Sequence, residues 1–149
     1  MRVAIGADHR GFPLKAKLIS FLKTKGVQVR DVGAYETDPP SDYPDIAGKV
    51  AREVAAGRVD RGILICGTGI GMSISANKIR GIRAAHCTSS KEAFLSRAHN
   101  DANVLTMGAM TTPAKKARQI LGVWLKTRAE GGRHRRRVLK IARLERGAR

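Results

Sequence analysis

Cysteine is scarce in this chain. Only two of its 149 residues are cysteines, Cys66 and Cys87, and they do not form a C-x-x-C pair. Two cysteines are too few for a disulfide framework, which argues against a small secreted, disulfide-stapled protein and favours free thiols. The chain also has no run of 18 apolar residues and no signal-peptide stretch at its N-terminus. We therefore expect a cytoplasmic protein without a membrane span.

Aromatic and acidic residues are the other deficits. Phe, Trp and Tyr make up 4% of the chain, and 12 acidic residues stand against 29 Lys and Arg, a formal net charge of +17. This charge raises nucleic-acid binding as a hypothesis, although few aromatic rings are present to stack on bases. Residues 115–149 carry a net +11, against +6 for residues 1–114. The basic end has three open interpretations: a polyanion-binding tail, a grip for a small phosphorylated ligand, or a solvated helix.

Short apolar runs alternate with segments of helical period along most of the chain. The length suits one domain. The apolar runs predict strands, several of them apolar on both faces as buried parallel strands are. Alternating strands and helices imply right-handed crossovers, so we predict a Rossmann-like, three-layer α/β/α fold with a five-stranded parallel sheet. The predicted strands are 3–6, 27–32, 62–66, 82–87 and 103–107; the predicted helices are 13–25, 44–56, 70–79, 89–98 and 113–126.

Two segments interrupt this alternation. Residues 36–44, ETDPPSDYP, are turn-forming throughout and predict a loop after the second strand, where such sheets carry ligand-binding loops. Residues 130–132, Glu-Gly-Gly, separate the fifth helix from a basic segment of helical spacing. We therefore divide the single domain into a core, 1–128, and a basic C-terminal helical arm, 129–149.

Chemically interesting side chains follow several of the predicted strands. Asp8 and His9 follow the first strand, Cys66 ends the third, and His99 and Asn100 close the helix after the fourth. Ligands bind at the carboxyl ends of the strands in an open parallel sheet, so these ends are where a site is expected.

A glycine loop follows Cys66 directly. Gly67, Gly69 and Gly71 allow a tight turn that aims several backbone N–H groups at one point, which predicts an anion hole for a phosphate, a pyrophosphate or an oxyanion. Met72 breaks the dinucleotide pattern G-x-G-x-x-G, and the Gly-Lys-Ser/Thr of a P-loop is absent. Cys66 at the mouth of the loop is a candidate base or nucleophile, with packing as the alternative.

Histidine and arginine supply the remaining candidates. None of the four histidines stands at metal-ligand spacing from another His or Cys, so we expect no metal site. Arg133 and Arg137 lie four residues apart and share a face of the predicted arm. They could grip one phosphate, form a solvated charged face, or belong to a nucleic-acid patch.

Taken together, the motifs resemble the ribose-5-phosphate isomerase B family, which also contains galactose-6-phosphate isomerase subunits and allose-6-phosphate isomerases. The resemblance runs in order from residue 2 to about residue 144 and covers nearly the whole chain. The motifs that carry it are GADHRG at 6–11, DYP at 42–44, GILICGTGIG at 62–71, ANK at 76–78, SRAHNDANVL at 96–105 and GGRH at 131–134.

The resemblance implies aldose–ketose isomerisation of a sugar phosphate without metal or organic cofactor. Cys66 would be the base that moves a proton through an enediolate; some members use a glutamate at the position of Met72 instead. Thr68 would help to place the substrate or the thiol, and His99, with Asp8, would open the sugar ring. The substrate-binding residues implied are His9, Tyr43, Gly67, Gly69, Ile70, Gly71, Asn100, Arg133 and Arg137.

The resemblance also implies an assembly. The family builds its site between two subunits, with the segment that contains His99 and Asn100 coming from the neighbour, so a homodimer or a dimer of dimers is expected. Two features depart from the family. Met110 stands where many members carry a phosphate-binding arginine, and the arm is more basic than the function requires.

The leading hypothesis is interconversion of ribose 5-phosphate and ribulose 5-phosphate in the pentose phosphate pathway. The nearest rival is the same chemistry on a six-carbon aldose such as allose 6-phosphate or galactose 6-phosphate, or on an unphosphorylated sugar. A rival from another class is a nucleic-acid-binding protein that uses the basic arm, which the scarcity of aromatic residues disfavours.

Overall fold

The computed structural model describes residues 1–147, and the last two residues of the predicted arm lie outside this range. Five strands form one all-parallel sheet in the order β2-β1-β3-β5-β4. The strands are β1 (Arg2–Ala7), β2 (Gln28–Asp31), β3 (Arg61–Cys66), β4 (Ala84–His86) and β5 (Val104–Gly108); the helices are α1 (Phe12–Thr24), α2 (Tyr43–Ala55), α3 (Ile70–Ala76), α4 (Ser90–Asn100), α5 (Ala114–Lys126) and α6 (Gly132–Gly147). The predicted Rossmann-like α/β fold with a five-stranded parallel sheet is confirmed.

Helices cover both faces of the sheet. On one face Leu18 of α1, Ala93 of α4 and Trp124 of α5 form one buried cluster with the sheet. On the other face Ile46 of α2 and Met72 of α3 belong to a second cluster. Successive β1 side chains alternate between the two clusters because neighbouring residues of a strand point to opposite faces. Burial on both faces explains why the strands read as nearly continuous apolar runs.

The boundaries differ from prediction around the edge strand β4. This strand has three residues where six were predicted, and α3 ends at Ala76 rather than at 79. Side chains bond backbone groups at this edge. The amide nitrogen of Asn77 donates to the carbonyl of Ala84 (2.9 Å), and its oxygen accepts from the Ala84 N–H (2.8 Å). The turn after α3 therefore supplies hydrogen bonds to the sheet edge, in a region where the apolar pattern alone predicts a longer strand.

The C-terminal arm is a real helix that packs on the core. Helix α6 contacts α4, and Glu145 near its end accepts a hydrogen bond from the Gly81 N–H (2.8 Å). The chain enters the arm through the Glu130 N–H, which donates to the Ala98 carbonyl of α4 (2.8 Å). Across residues 1–147, no helix combines the length and the apolar character needed to cross a membrane.

The sheet order marks the place where a ligand fits. From β1 the chain runs to β2 on one side, whereas β3 pairs with β1 on its other side. This reversal separates the loops that leave the carboxyl ends of β1 and β3, and an open α/β sheet binds its ligands in the resulting crevice.

Candidate active site

A cleft of about 540 Å³ opens at the carboxyl ends of β1 and β3. Its wall is formed by the turn after β1, the loop after β3, the start of α2, one side of α3 and the segment after β5. The lining residues are Asp8, His9, Arg10, Tyr43, Cys66, Gly67, Thr68, Ile70, Gly71, Ile74 and Met110. Eight of the thirteen side chains or glycines predicted as site residues line this cleft.

Cys66 is the last residue of β3 and is buried, with its thiol at the floor of the cleft. The Gly69 N–H donates a hydrogen bond to its sulfur (3.1 Å). This contact holds the sulfur in a fixed position against the glycine loop. Gly69 is thus a ninth predicted residue of this site, although it does not line the open space.

The glycines of this loop are required by its geometry. Gly69 has a φ of +83°, and a Cβ there would lie 2.7 Å from Nδ1 of His86. At Gly71 a Cβ would lie 2.6 Å from the ring of Tyr43, so only glycine lets this ring approach the loop. The loop and Tyr43 therefore pack together as one wall of the cleft.

Asp8 and His9 are held by the backbone around them. One carboxylate oxygen of Asp8 accepts from the Gly11 N–H (2.8 Å), which fixes the turn between β1 and α1. Nδ1 of His9 accepts from the Ser41 N–H (3.3 Å), and the His9 N–H donates to the Ser41 hydroxyl (3.1 Å). Nδ1 also lies 3.4 Å from the Ser41 carbonyl oxygen, so in one tautomer it accepts from the Ser41 N–H and in the other it donates to this carbonyl. His9 also ties the loop 36–44 to the cleft, as the position of that loop after β2 predicted.

The second cysteine has a different environment. Cys87 lies in the core cluster of α1, α4 and α5, and burial raises its pKa to about 11. It stays a neutral thiol at pH 7 and packs in the core.

Four predicted site residues lie apart from the cleft within one chain. His99 and Asn100 end α4, whereas Arg133 and Arg137 are exposed on α6. His99 lines a cavity of about 70 Å³ together with Glu130 and Arg135, and Asn100 lines a separate groove with Arg83 and Ile141. The fold thus divides the predicted site into a cleft set and a set on α4 and α6.

His99 belongs to a cluster that residue spacing did not indicate. His99, Glu130 and His134 present ligand atoms within 4.8 Å of one another. The two imidazole rings are stacked 7° from parallel, with centroids 4.0 Å apart. A metal ion bound to a histidine nitrogen lies in the plane of the ring, and two stacked planes share no such point. This arrangement therefore orients His99 and does not form a two-histidine metal site.

Comparison with known proteins agrees with this geometry. The sequence model of a family described as ribose/galactose isomerase matches residues 3–141. The chain belongs to the ribose/galactose isomerase family. It is 47% identical over 144 residues to ribose-5-phosphate isomerase B of Escherichia coli. The alignment covers 97% of this chain and 96% of that protein.

Solved structures of this isomerase family superpose on the whole fold. Ribose-5-phosphate isomerase B of Clostridium thermocellum has a TM-score of 0.98 and 48% identity, with all of both chains covered. The enzyme from Mycoplasma genitalium, solved with bound ribulose-5-phosphate, has a TM-score of 0.93 and 42% identity, covering 97% of this chain and 96% of that one.

Two residues of this family member stand out in the structure but were given no catalytic or binding role from the sequence. Arg10 lines the cleft, with Nη1 3.8 Å from the sulfur of Met110. His134 is buried against His99. The first lay inside a recognised motif, next to His9. The second closes the GGRH motif, but its contact with His99 was not predictable, because His99 lies 35 residues earlier on another helix.

Proposed function

We propose that this isomerase interconverts D-ribose 5-phosphate and D-ribulose 5-phosphate, with Cys66 as the base and without a metal or organic cofactor. The observation that carries the proposal is the Cys66 sulfur at the floor of the cleft, with the Gly69 N–H directed at it. Sequence identity to ribose-5-phosphate isomerase B of Escherichia coli, and a related structure that holds ribulose-5-phosphate, support the choice of sugar.

The reaction moves two protons and leaves the composition of the sugar unchanged. The Cys66 thiolate removes the proton from C2 of the open-chain aldose, which produces an enediolate. The same proton returns to C1 while the hydroxyl proton at O2 moves to O1. Negative charge on the enediolate oxygen is met by backbone N–H groups of the loop 67–71 other than that of Gly69, which is directed at the Cys66 sulfur. One preorganised donor of this kind contributes about 2.7–4 kcal/mol to such a transition state.

The remaining side chains of the cleft bind the sugar. Asp8 and Tyr43 face the sugar hydroxyls, and the His9 imidazole binds the phosphate. Thr68 positions the thiol or the substrate from the first turn of the loop. The whole chain acts as one isomerase domain, with 1–128 as the core and 129–149 as the arm.

A second copy of the chain completes the site in this proposal. His99, Asn100, Arg133 and Arg137 do not line the cleft of their own chain, although ring opening and phosphate binding are assigned to them by resemblance to the family. Apolar side chains without cover support a partner of the same kind. Ile70 and Ile74 on α3 are 54% and 58% exposed, and Leu139 and Leu144 on α6 are 53% and 76% exposed. We therefore propose a homodimer with two shared sites, or a dimer of dimers.

The cytoplasm is the expected location, because the proposed base has to stay reduced. Both cysteines are free and buried, which fits a reducing compartment.

The deciding experiment is turnover by purified, EDTA-treated protein. Turnover of ribose 5-phosphate, allose 6-phosphate and unphosphorylated ribose is measured for three proteins. These are wild type, Cys66→Ala and the matched control Cys87→Ala. We expect ribose 5-phosphate to be the preferred substrate, with kcat reduced by Cys66→Ala at least a hundredfold and retained by Cys87→Ala. If Cys66→Ala kept the kcat of wild type, the assignment of Cys66 as the base would be refuted.

A further inference from the structure

Arg10 is the single Lys or Arg among the residues that line the cleft. It is exposed and lies in the turn between β1 and α1. This turn is rigid, because the Asp8 N–H donates to the Ile65 carbonyl (3.1 Å) and the Asp8 carboxylate accepts from the Gly11 N–H (2.8 Å). The guanidinium therefore extends from a fixed point of the backbone into the mouth of the cleft.

The Arg10 side chain lies over the start of the glycine loop. A Cβ built on Gly67 would lie 3.4 Å from Cδ of Arg10 and 3.1 Å from the sulfur of Met110. Met110 approaches from the segment after β5, on the opposite wall, and its sulfur is 3.8 Å from Nη1 of Arg10. The two side chains thus meet above Gly67, one residue from Cys66.

The guanidinium has no anionic partner in the part of the chain that the structure describes, where Arg10 forms no salt bridge. Its one side-chain neighbour within hydrogen-bonding range is a thioether, which is a weak acceptor. A guanidinium offers five N–H donors in a planar fork that matches a phosphate. An unpaired guanidinium at the mouth of this cleft has the chemistry to bind the charged group of a sugar phosphate.

We propose that Arg10 binds the phosphate of the substrate and makes this cleft selective for phosphorylated sugars, with Met110 supporting the guanidinium from the opposite wall. The inference rests on the proposed function, because it needs a sugar phosphate in the cleft. It adds a specificity-determining residue beyond His9, Arg133 and Arg137.

The first test removes the charge and the guanidinium and keeps an unbranched apolar side chain. Arg10→Met should raise KM for ribose 5-phosphate about tenfold, which corresponds to about 1.4 kcal/mol, with kcat within threefold of wild type. The KM of Arg10→Lys should lie between those of wild type and Arg10→Met, because an ammonium group supplies charge without the planar fork of donors. Arg118→Met, an exposed arginine of α5 outside the cleft, controls for the loss of one positive charge. An unchanged KM in Arg10→Met would overturn the proposal.

The second test moves the guanidinium to the other wall. Because Met110 already reaches the Arg10 guanidinium, Met110→Arg places a new guanidinium in the same space. In the double variant Arg10→Met/Met110→Arg, KM should return to within about threefold of the wild-type value. A double variant no better than Arg10→Met would refute a phosphate position between these two residues.

A binding measurement separates this inference from the proposed function. Inorganic phosphate is titrated into wild type and into Arg10→Met, and binding is measured by calorimetry. This measurement requires no turnover. Phosphate binding weakened by Arg10→Met but not by Arg118→Met supports the phosphate site even if ribose 5-phosphate proves not to be a substrate. Equal phosphate affinity in wild type and Arg10→Met, together with active wild-type enzyme, would refute the role of Arg10 alone.

Discussion

His99 and His134 stack face to face across α4 and α6, with ring centroids 4.0 Å apart and planes 7° from parallel. A carboxylate oxygen of Glu130 lies 3.5 Å from Nε2 of His134 and 4.0 Å from Nε2 of His99. His99 is more than one-third exposed at the side chain, whereas His134 is buried. The inner ring thus supports the outer one, and the arm that carries His134 sets the orientation of the proposed ring-opening group.

Acid should weaken this arrangement. Burial lowers the pKa of His134 below its ordinary value of 6.5, and the neighbouring His99, Arg133 and Arg137 lower it further, while Glu130 opposes the shift. Below pH 6.5 the unfolded chain therefore binds the proton more readily than the folded one, so the free energy of unfolding falls as the pH decreases.

This effect is measured by urea unfolding at pH 7.5 and pH 5.5. Wild type should lose more stability on acidification than His134→Phe, which keeps an aromatic ring beside His99 but cannot take up a proton. Equal losses in the two proteins would show that His134 does not contribute to the acid sensitivity.

Subunit complementation should reveal a shared site. Cys66→Ala and His99→Asn are each expected to be inactive on ring-form ribose 5-phosphate. In a mixed dimer, one site combines both defects and the other combines both intact residues. Coexpression with random pairing should therefore restore roughly a quarter of wild-type activity. If each chain carried its own complete site, the mixture would stay as inactive as either variant alone.

Alkylation should distinguish the two cysteines. Cys66 lines the open cleft, whereas Cys87 is buried with a pKa of about 11. At pH 8 only about a thousandth of such a thiol is ionised, and thiolates are the reactive form. Iodoacetamide should therefore modify Cys66 in the native protein and spare Cys87, as peptide mass spectrometry would show. Ribose 5-phosphate should slow the modification of Cys66, and both cysteines should react in urea. Preferential labelling of Cys87 would contradict the placement of the two thiols.

Gly69→Ala should disable the loop through two effects that a matched variant separates. Gly69 and Gly81 share a φ of +83°, but a Cβ at Gly69 would clash with His86, whereas the space at Gly81 is open. Gly81→Ala should cost roughly 1–2 kcal/mol of stability from backbone strain. Gly69→Ala should cost a further 1–3 kcal/mol or so from overpacking.

Activity should separate the two glycine variants more strongly than stability does. Gly69→Ala displaces the N–H donor of Cys66 and should lower kcat at least tenfold, whereas Gly81→Ala should keep kcat near the wild-type value. Chemical unfolding and steady-state kinetics measure both quantities. Similar kcat values in the two variants would argue against a role of the Gly69 N–H at the thiol.

The cleft was largely predictable because its residues follow strands. Asp8, His9 and Cys66 stand at the carboxyl ends of β1 and β3, and parallel strands bring such ends to one edge. The extent of β4 was not predictable from apolar patterning, since the side chains of Asn77 and Asn103 accept from the backbone N–H groups of Ala84 and Arg83 there. Local periodicity predicts which residues are buried. It does not predict which polar side chain will form hydrogen bonds with the backbone of an edge strand.

The sequence by itself determined the alternation of strands and helices, the glycine loop behind Cys66 and the basic helix at the end. These follow from local rules, because periodicity, turn chemistry and charge act over a few neighbouring residues. Tertiary structure alone decided that Arg10 meets Met110 above Gly67, that His134 supports His99, and that the α4 and α6 residues lie away from the cleft of their own chain. Those relationships join segments separated by up to 100 positions, and only the path of the folded backbone fixes the distances between them.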